Sequence, residues 1–293
     1  MSHGYQISFK TTILNFFRRI FKLSVFENLL AYLNTTSLSI LAGKLIPPPY
    51  LYQKGSFREV NRNGINFKLD LFETVDHYIF FNYFDQSLEQ FFDEAKTANV
   101  ILDIGANIGW TALRFAIKNP NATIIAFEPH PLTFQRAQEN FEKNNFSNIT
   151  CLNIGLGEST STLKIYELMD NNSGMNRIVL EELDRPFKEV KIERLDDVLN
   201  SRNIHQVDMI KIDVEGFEGF VLMGASKILT VSNAKILMET DDAFLKNNGS
   251  SARVLVDILK EYGYKTFYRS DIKCFIKDDD NLSGCHFDML CSK

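Results

Sequence analysis

From residue 100 onward, short apolar runs alternate with longer stretches of helical period, and this alternation restricts the chain more than any other feature. The runs at 100–104, 123–127, 149–153, 209–212 and 235–239 are too short for helices and largely apolar at consecutive positions. Runs of that kind belong to strands buried on both faces, as in a parallel sheet covered by helices. Helical spacing near 109–118, 131–144, 217–229 and 251–262 supplies the cover. Segments 264–268 and 286–291 add a closing antiparallel pair. The expected core is an α/β, Rossmann-like fold: a mostly parallel seven-stranded sheet with helices on both faces. Between the third and fourth parallel strands lies an insertion, in which 162–167 and 188–192 read as strands around the polar turn Asp170-Asn171-Asn172-Ser173-Gly174.

Ahead of the core, Pro47-Pro48-Pro49 is forced into extended backbone and ends any helix before it, so a boundary is expected near residue 50. Segments 57–61 and 65–71 alternate in polarity around Asn63-Gly64, a dipeptide suited to positive φ, and read as a β-hairpin. Helical spacing from 74 to 98 leads into the first core strand. Three parts result: a basic helical extension over 1–50, a hairpin-and-helix segment over 51–98 that is either a lid or scaffold, and the core over 99–293. Every motif described below follows the proline run, so residues 1–46 are expected to be dispensable for ligand binding.

The net charge of −5 is unevenly spread. Five Lys/Arg against the single Glu27 give residues 1–50 a charge of +4, leaving −9 for the remainder. An acidic core lacks the clustered cations of a nucleic-acid track, which argues against nucleic acid as a partner. Residues 12–33 are rich in Phe, Leu and Ile, but Arg18, Arg19, Lys22 and Glu27 interrupt them short of a bilayer span. Thr11, Asn15, Arg18 and Lys22 recur at four-three-four spacing as a narrow polar stripe. Two readings stay open: a helix docked on protein, or a helix lying on a membrane surface as a peripheral contact. Cys151, Cys274, Cys285 and Cys291 have no metal-ligand spacing, and the expected home is a reducing cytoplasm.

Chemistry-bearing residues gather where strands end. The run 100–104 passes into Gly105-Ala106-Asn107-Ile108-Gly109 and then a helix. Glycines there permit a tight turn and close approach of backbone to a ligand. A dinucleotide site wants G-x-G-x-x-G, whereas this turn is Asp-x-Gly-x-Asn-x-Gly, with Asn107 in place of the middle glycine. Asp103 at the strand end repels a pyrophosphate but suits the cationic amino-acid part of S-adenosylmethionine. Glu128, in Phe127-Glu128-Pro129, lies nineteen residues beyond Gly109, where a carboxylate can accept both hydroxyls of an adenosine ribose. The segment from Ile210 to Gly219 again delivers acids to a glycine-bearing turn. Strand alternation puts Met209, Lys211 and Asp213 on one face, with Asp213 at the carboxyl end, where open α/β sheets bind ligands. Glu215 follows in the turn and Glu239 ends the next strand at the same rim. Glu218 falls in the first turn of a helix, a structural position.

The phrases Leu102-Asp103-Ile104-Gly105-Ala106-Asn107-Ile108-Gly109, Ala126-Phe127-Glu128-Pro129-His130-Pro131 and Ile210-Lys211-Ile212-Asp213-Val214-Glu215-Gly216 with Glu218 resemble, in order, the three signature blocks of the FkbM-like O-methyltransferases. The similar portion runs from residue 75 to 270. The resemblance implies a class I methyltransferase fold, S-adenosylmethionine as donor, and a hydroxyl acceptor on a glycan, polyketide or related small molecule. It further implies that Asp103, Gly105, Asn107 and Gly109 surround the amino-acid and ribose portions of the donor. Glu128 then holds the ribose hydroxyls and Asp213 lies near the amine.

A sulfonium carries its own leaving group, so the protein must align the acceptor oxygen, exclude water and remove a proton. Asp213, Glu215 and Glu239 are the candidate catalytic acids, with His77 and His130 candidates by residue type alone. A carboxylate in a partly desolvated cleft can be raised toward neutral pKa. The same three acids are hard-oxygen donors of the kind magnesium or calcium accepts. Acids two apart across a turn are common without a cation, and no metal is assigned. Two other classes stay open: a nucleotide-sugar or dinucleotide enzyme on the same sheet, opposed by the lack of G-x-G-x-x-G, and a non-catalytic interaction module, opposed by the cleft acids.

Overall fold

Ser8 opens the described chain by capping α1 (Phe9–Arg18), its hydroxyl accepting the Thr11 amide N–H at 3.2 Å. The computed structural model describes residues 8–83 and 87–293, so residues 1–7 of the expected extension and 84–86 of the expected lead-in lie outside it. A short 3-10 turn over Arg19–Lys22 and an extended Leu23 separate α1 from α2 (Ser24–Leu33), making two helices of the apolar stretch 12–33. After α3 (Ser39–Leu45) and the proline run, β1 (Phe57–Arg62) and β2 (Ile65–Asp70) form the expected hairpin, turning at Asn63 and Gly64 with φ of 52° and 83°. Then comes α4 (Thr74–Phe80).

These elements belong to one compact unit, Met1–Asp85 with Asn171–Gly174; a second comprises Gln86–Asp170 and Met175–Lys293. The boundary expected near residue 50 therefore falls inside the first unit. Buried Glu27 of α2 receives a bidentate ion pair from Arg58 of β1, at 2.8 and 3.0 Å. The Asn82 amide donates to the Ala31 carbonyl at 3.0 Å, and the His77 ring nitrogen lies 2.8 Å from the Pro47 carbonyl oxygen. Proline ends a helix, but it does not stop the segments on its two sides from packing together.

The second unit starts with α5 (Ser87–Glu94) and runs through β3 (Val100–Ile104), α6 (Trp110–Lys118), β4 (Thr123–Phe127), α7 (Pro131–Glu142) and β5 (Ile149–Leu152). The insertion holds β6 (Gly155–Leu156), β7 (Ser161–Tyr166), β8 (Arg177–Ile178) and β9 (Phe187–Glu193), a separate four-stranded sheet in which β7 and β9 pair antiparallel. There follow α8 (Leu195–Ser201), β10 (Met209–Ile212), α9 (Glu218–Gly224), α10 (Ser226–Val231), β11 (Lys235–Asp241), α11 (Asp242–Asn247) and α12 (Ala252–Glu261). Last come β12 (Thr266–Arg269), β13 (Cys274–Phe275) and β14 (His286–Ser292).

The main sheet has the order β13-β12-β14-β11-β10-β3-β4-β5. The strands from β11 to β5 are mutually parallel, and β14 enters antiparallel between β11 and β12. It has eight strands rather than the expected seven, because Cys274–Phe275 adds an edge strand of two residues, too short to leave an alternation in the sequence. Since β4 lies on one side of β3 and β10 on the other, the carboxyl ends of β3 and β10 border the topological switch point.

Strand alternation splits the core in two. Leu102, Ile104, Ile125, Phe127, Ile210, Ile212, Ile236 and Met238 pack with residues of α8, α9, α10 and α12. Ile101, Ile124, Ala126, Met209 and Leu237 pack with Phe91, Phe92, Ala112 and Phe115 of α5 and α6. Helices therefore cover both faces, and by the same alternation Asp103, Lys211 and Glu239 share the α5/α6 side.

Candidate active site

The β3–α6 turn is held by its neighbours. Gly105 has φ +80°, and a Cβ there would lie 1.8 Å from the Asp213 carbonyl oxygen, so only glycine lets the two turns meet. The Gly105 and Ala106 amides donate to the Phe127 carbonyl at 3.0 and 2.9 Å. Asn107 takes φ 50°, which a short polar side chain tolerates, and its N–H donates to Glu128 Oε2 at 2.9 Å. Gly109 closes the turn at the start of α6.

Glu128 Oε1 accepts the His130 amide at 2.9 Å, so each carboxylate oxygen has one backbone partner and keeps a lone pair. Burial pushes Glu128 up to about 7, against the pull of those two N–H bonds. Burial likewise raises the fully enclosed Asp103 to about 6, against the pull of Lys211.

Lys211 is one of two site residues that reading the sequence missed. It stands in register with Asp103 across β10 and β3. Its ammonium lies 3.0 Å from Asp213 Oδ2 and 3.8 Å from Asp103 Oδ1, and donates to the Gly105 carbonyl at 3.0 Å. Burial alone would lower its pKa, but Asp213 and Asp103 outweigh that and hold it above the usual lysine range. The signal was present: a lysine inside the otherwise apolar run Met209–Ile212 requires a buried partner.

Asp213, Glu215 and Glu239 come together, each offering a carboxylate oxygen within 4.8 Å of the others. Burial works to raise Asp213, but Lys211 and the hydrogen bond from Glu239 outweigh it and hold it below the usual range. The Asp213 charge, then burial, drives Glu239 far above that range, so a protonated Glu239 bonds an ionised Asp213. Burial pushes Glu215 up to about 8, and the Asp213 charge adds to the shift. Glu215 also stands at φ 56°, a left-handed conformation costing a non-glycine residue about 1–2 kcal/mol. Buried Glu218 fixes this turn, its Oε1 accepting the Val214 and Gly216 amides at 3.2 and 3.1 Å. His286 of β14, also missed, places Nε2 2.9 Å from Glu239 Oε1. Arg177 of β8 stacks 3.9 Å over the Phe244 ring, and its charge acts on Glu215.

The two earlier histidine candidates have other work. His77 is buried in the first unit, its pKa held down to about 4 by burial. His130 is buried, with Nε2 3.2 Å from Glu167 Oε1 and its backbone N–H serving Glu128. Three close carboxylates are hard-oxygen ligands, and Lys211 already brings a positive charge to one of them.

A Rossmann-like sheet with an antiparallel β14 beside β11, and acid-bearing turns at the ends of β3, β4 and β10, defines a class I methyltransferase core. The family model described as Methyltransferase FkbM domain matches residues 103–266, more than half of the chain, and the chain belongs to that family. Methyltransferase 1 of Beauveria bassiana is 34% identical over 142 residues, covering 42% of this chain and 57% of that protein. The 2-O-methyltransferase NoeI of Sinorhizobium fredii is 25% identical over 182 residues, covering 57% and 73%. The solved structure of methyltransferase FkbM from Methylobacillus flagellatus aligns with a TM-score of 0.45 at 16% identity, over 74% of this chain and 52% of that one. The chain spans less than two thirds of the length of the Beauveria bassiana protein.

Proposed function

We propose that this chain is an S-adenosylmethionine-dependent O-methyltransferase acting on a hydroxyl of a glycan, polyketide or related small molecule. The observation that carries the reading is the convergence of the Asp103, Glu128 and Asp213 turns at one rim of the sheet, in a chain of a methyltransferase family. Relatives are named as a 2-O-methyltransferase, a hexuronic acid methyltransferase of Haloferax volcanii and a 31-O-demethyl-FK506 methyltransferase of Streptomyces tacrolimicus, which supports an oxygen acceptor.

The residues fit the donor. Asn107 Oδ1 is buried without a hydrogen-bond partner, and both Glu128 oxygens retain acceptor capacity toward ribose hydroxyls. Gly105, Asn107 and Gly109 would pass the backbone close to the donor, with Asp103 and Asp213 supplying negative charge toward its cationic part. The donor brings an activated methyl group with its own leaving group. Lys211 fixes Asp213 and the Gly105 carbonyl relative to each other, which positions donor and acceptor sides of the rim. The acceptor proton passes to the Asp213, Glu215, Glu239 cluster, where Glu215, raised to about 8, is matched to a base working near neutral pH. No metal is part of this reading.

Titration calorimetry with S-adenosylmethionine and, separately, NAD tests the donor, and methyl transfer from labelled donor, followed by mass spectrometry, tests the reaction. Asp213→Asn should lower turnover by about tenfold to a thousandfold. Glu218→Gln should stay near wild type, since the amide oxygen can still accept both backbone N–H groups. Binding of NAD in place of S-adenosylmethionine, or the reverse order of the two variants, rejects the reading.

A further inference from the structure

In α1 the usual amphipathic arrangement is inverted. The polar stripe of the helix and the turn after it faces the protein: Asn15 is buried and donates to the Tyr50 hydroxyl at 3.1 Å, Arg18 donates to the Lys44 carbonyl at 2.9 Å, and Lys22 donates to the Leu51 carbonyl at 2.7 Å. The apolar stripe Ile13, Phe16, Phe17 and Ile20, at helical spacing i, i+3, i+4, i+7, faces outward, with Phe16 69% exposed. The same holds further along. In α2, Glu27, Leu30 and Ala31 are buried while Val25, Leu29 and Tyr32 are exposed, Val25 at 75%, and in α3 Ile40 is 78% exposed. A helix in water turns its polar side out, and monomers rarely leave apolar surface of this extent uncovered.

We propose that this surface, residues 13–41, seats in the headgroup region of an anionic bilayer. Charge selects that occupant. Lys10 of α1, Arg19 of the turn after it and Lys44 of α3 are exposed on the same helical segment. The only acid in residues 1–50 is Glu27, enclosed and bonded to Arg58. A second copy of this chain would bring like charges together, whereas anionic lipid complements them. The geometry is that of a surface contact: ten-residue helices are about 15 Å long against a hydrocarbon core of about 30 Å. Among the described residues no helix is long and apolar enough to cross a membrane. Helices lying in the interface, apolar side down with cations at the headgroups, satisfy both constraints.

The full chain should float with vesicles of phosphatidylcholine mixed with phosphatidylglycerol about tenfold better than with phosphatidylcholine alone, and added salt should reduce the difference. Combined Phe16→Ser, Phe17→Ser and Ile20→Ser should reduce flotation about tenfold or more with circular dichroism unchanged, because all three side chains are exposed. Arg19→Glu with Lys44→Glu should remove the preference for anionic vesicles. The proposal is overturned by wild-type flotation of the triple variant, by no flotation on mixed vesicles, or by a dimer in sedimentation velocity that the triple variant abolishes.

Discussion

Glu215 combines two unfavourable features at one residue: a left-handed backbone that glycine would adopt freely, and a carboxyl group beside the Asp213 charge. Replacement by glycine separates stability from function. Glu215→Gly should raise the melting temperature, consistent with relief of about 1 kcal/mol of strain, while methyl transfer falls about tenfold or more. As a base Glu215 works only when ionised, so wild-type turnover should climb with pH and level off above about 8, and Glu215→Gln should lose that climb. A variant that melts lower than wild type but turns over normally would remove Glu215 from the chemistry and leave it as scaffold. Glu128 offers a test on the donor side. Its two oxygens bridge the Asn107 and His130 amides, so Glu128→Ala should loosen the turn as well as delete the proposed ribose contact. S-adenosylmethionine should bind more weakly by about 1–3 kcal/mol in calorimetry. Unchanged affinity with an intact fold would place the ribose elsewhere.

Among the elements, α1 to α3 bear on the boundary expected near residue 50. The proline run predicts that residues 1–46 are dispensable for ligand binding, but Glu27 is the buried partner of Arg58, and Ala31 accepts the Asn82 amide across the same unit. Deleting 1–46 should leave Arg58 without its partner and uncover the hairpin, giving a chain that aggregates or melts well below the full protein, as seen by scanning fluorimetry. A soluble truncation with unchanged melting would return the boundary to residue 50. The contrast shows what kind of information a sequence carries. The five parallel strands and their covering helices were legible because a strand buried on both faces must be apolar at consecutive positions, and 100–104, 123–127 and 209–212 end where they were expected to end. The acids at strand ends were legible for the same reason, since alternation fixes the face of Asp213 once β10 is placed. The partnership of Lys211 with Asp103, and that of His286 with Glu239, depends on which strands lie side by side, 108 and 47 positions apart in the chain. Periodicity along one strand does not contain that register. Nor does it show which side of α1 faces outward, because a stripe of polar residues looks the same whichever way the helix is turned.

For the whole molecule, the raised acids make a prediction about stability and ligand charge together. Asp103, Glu128, Glu218 and Glu215 are lifted to about 6, 7, 7 and 8, chiefly by burial. In the unfolded chain such groups titrate at about 4. Between those limits the folded state holds more protons than the unfolded one, so the stability they contribute is present below about pH 4 to 5 and is lost as pH rises toward about 8. The donor-free protein should therefore melt several degrees lower at about pH 8.5 than at about pH 5.5. S-adenosylmethionine, as the proposed donor, should reverse part of this, because its extra positive charge favours the ionised acids, and a ligand stabilises the state it binds. The demethylated product shares every other group but lacks the sulfonium charge. Melting curves with saturating donor or product should thus diverge as pH rises, the donor giving the larger shift at about pH 8.5 and the two converging near about pH 5.5. Equal shifts at both pH values would mean that the acids ionising over this range do not face the sulfonium, and the placing of Asp103 toward the cationic part of the donor would fail.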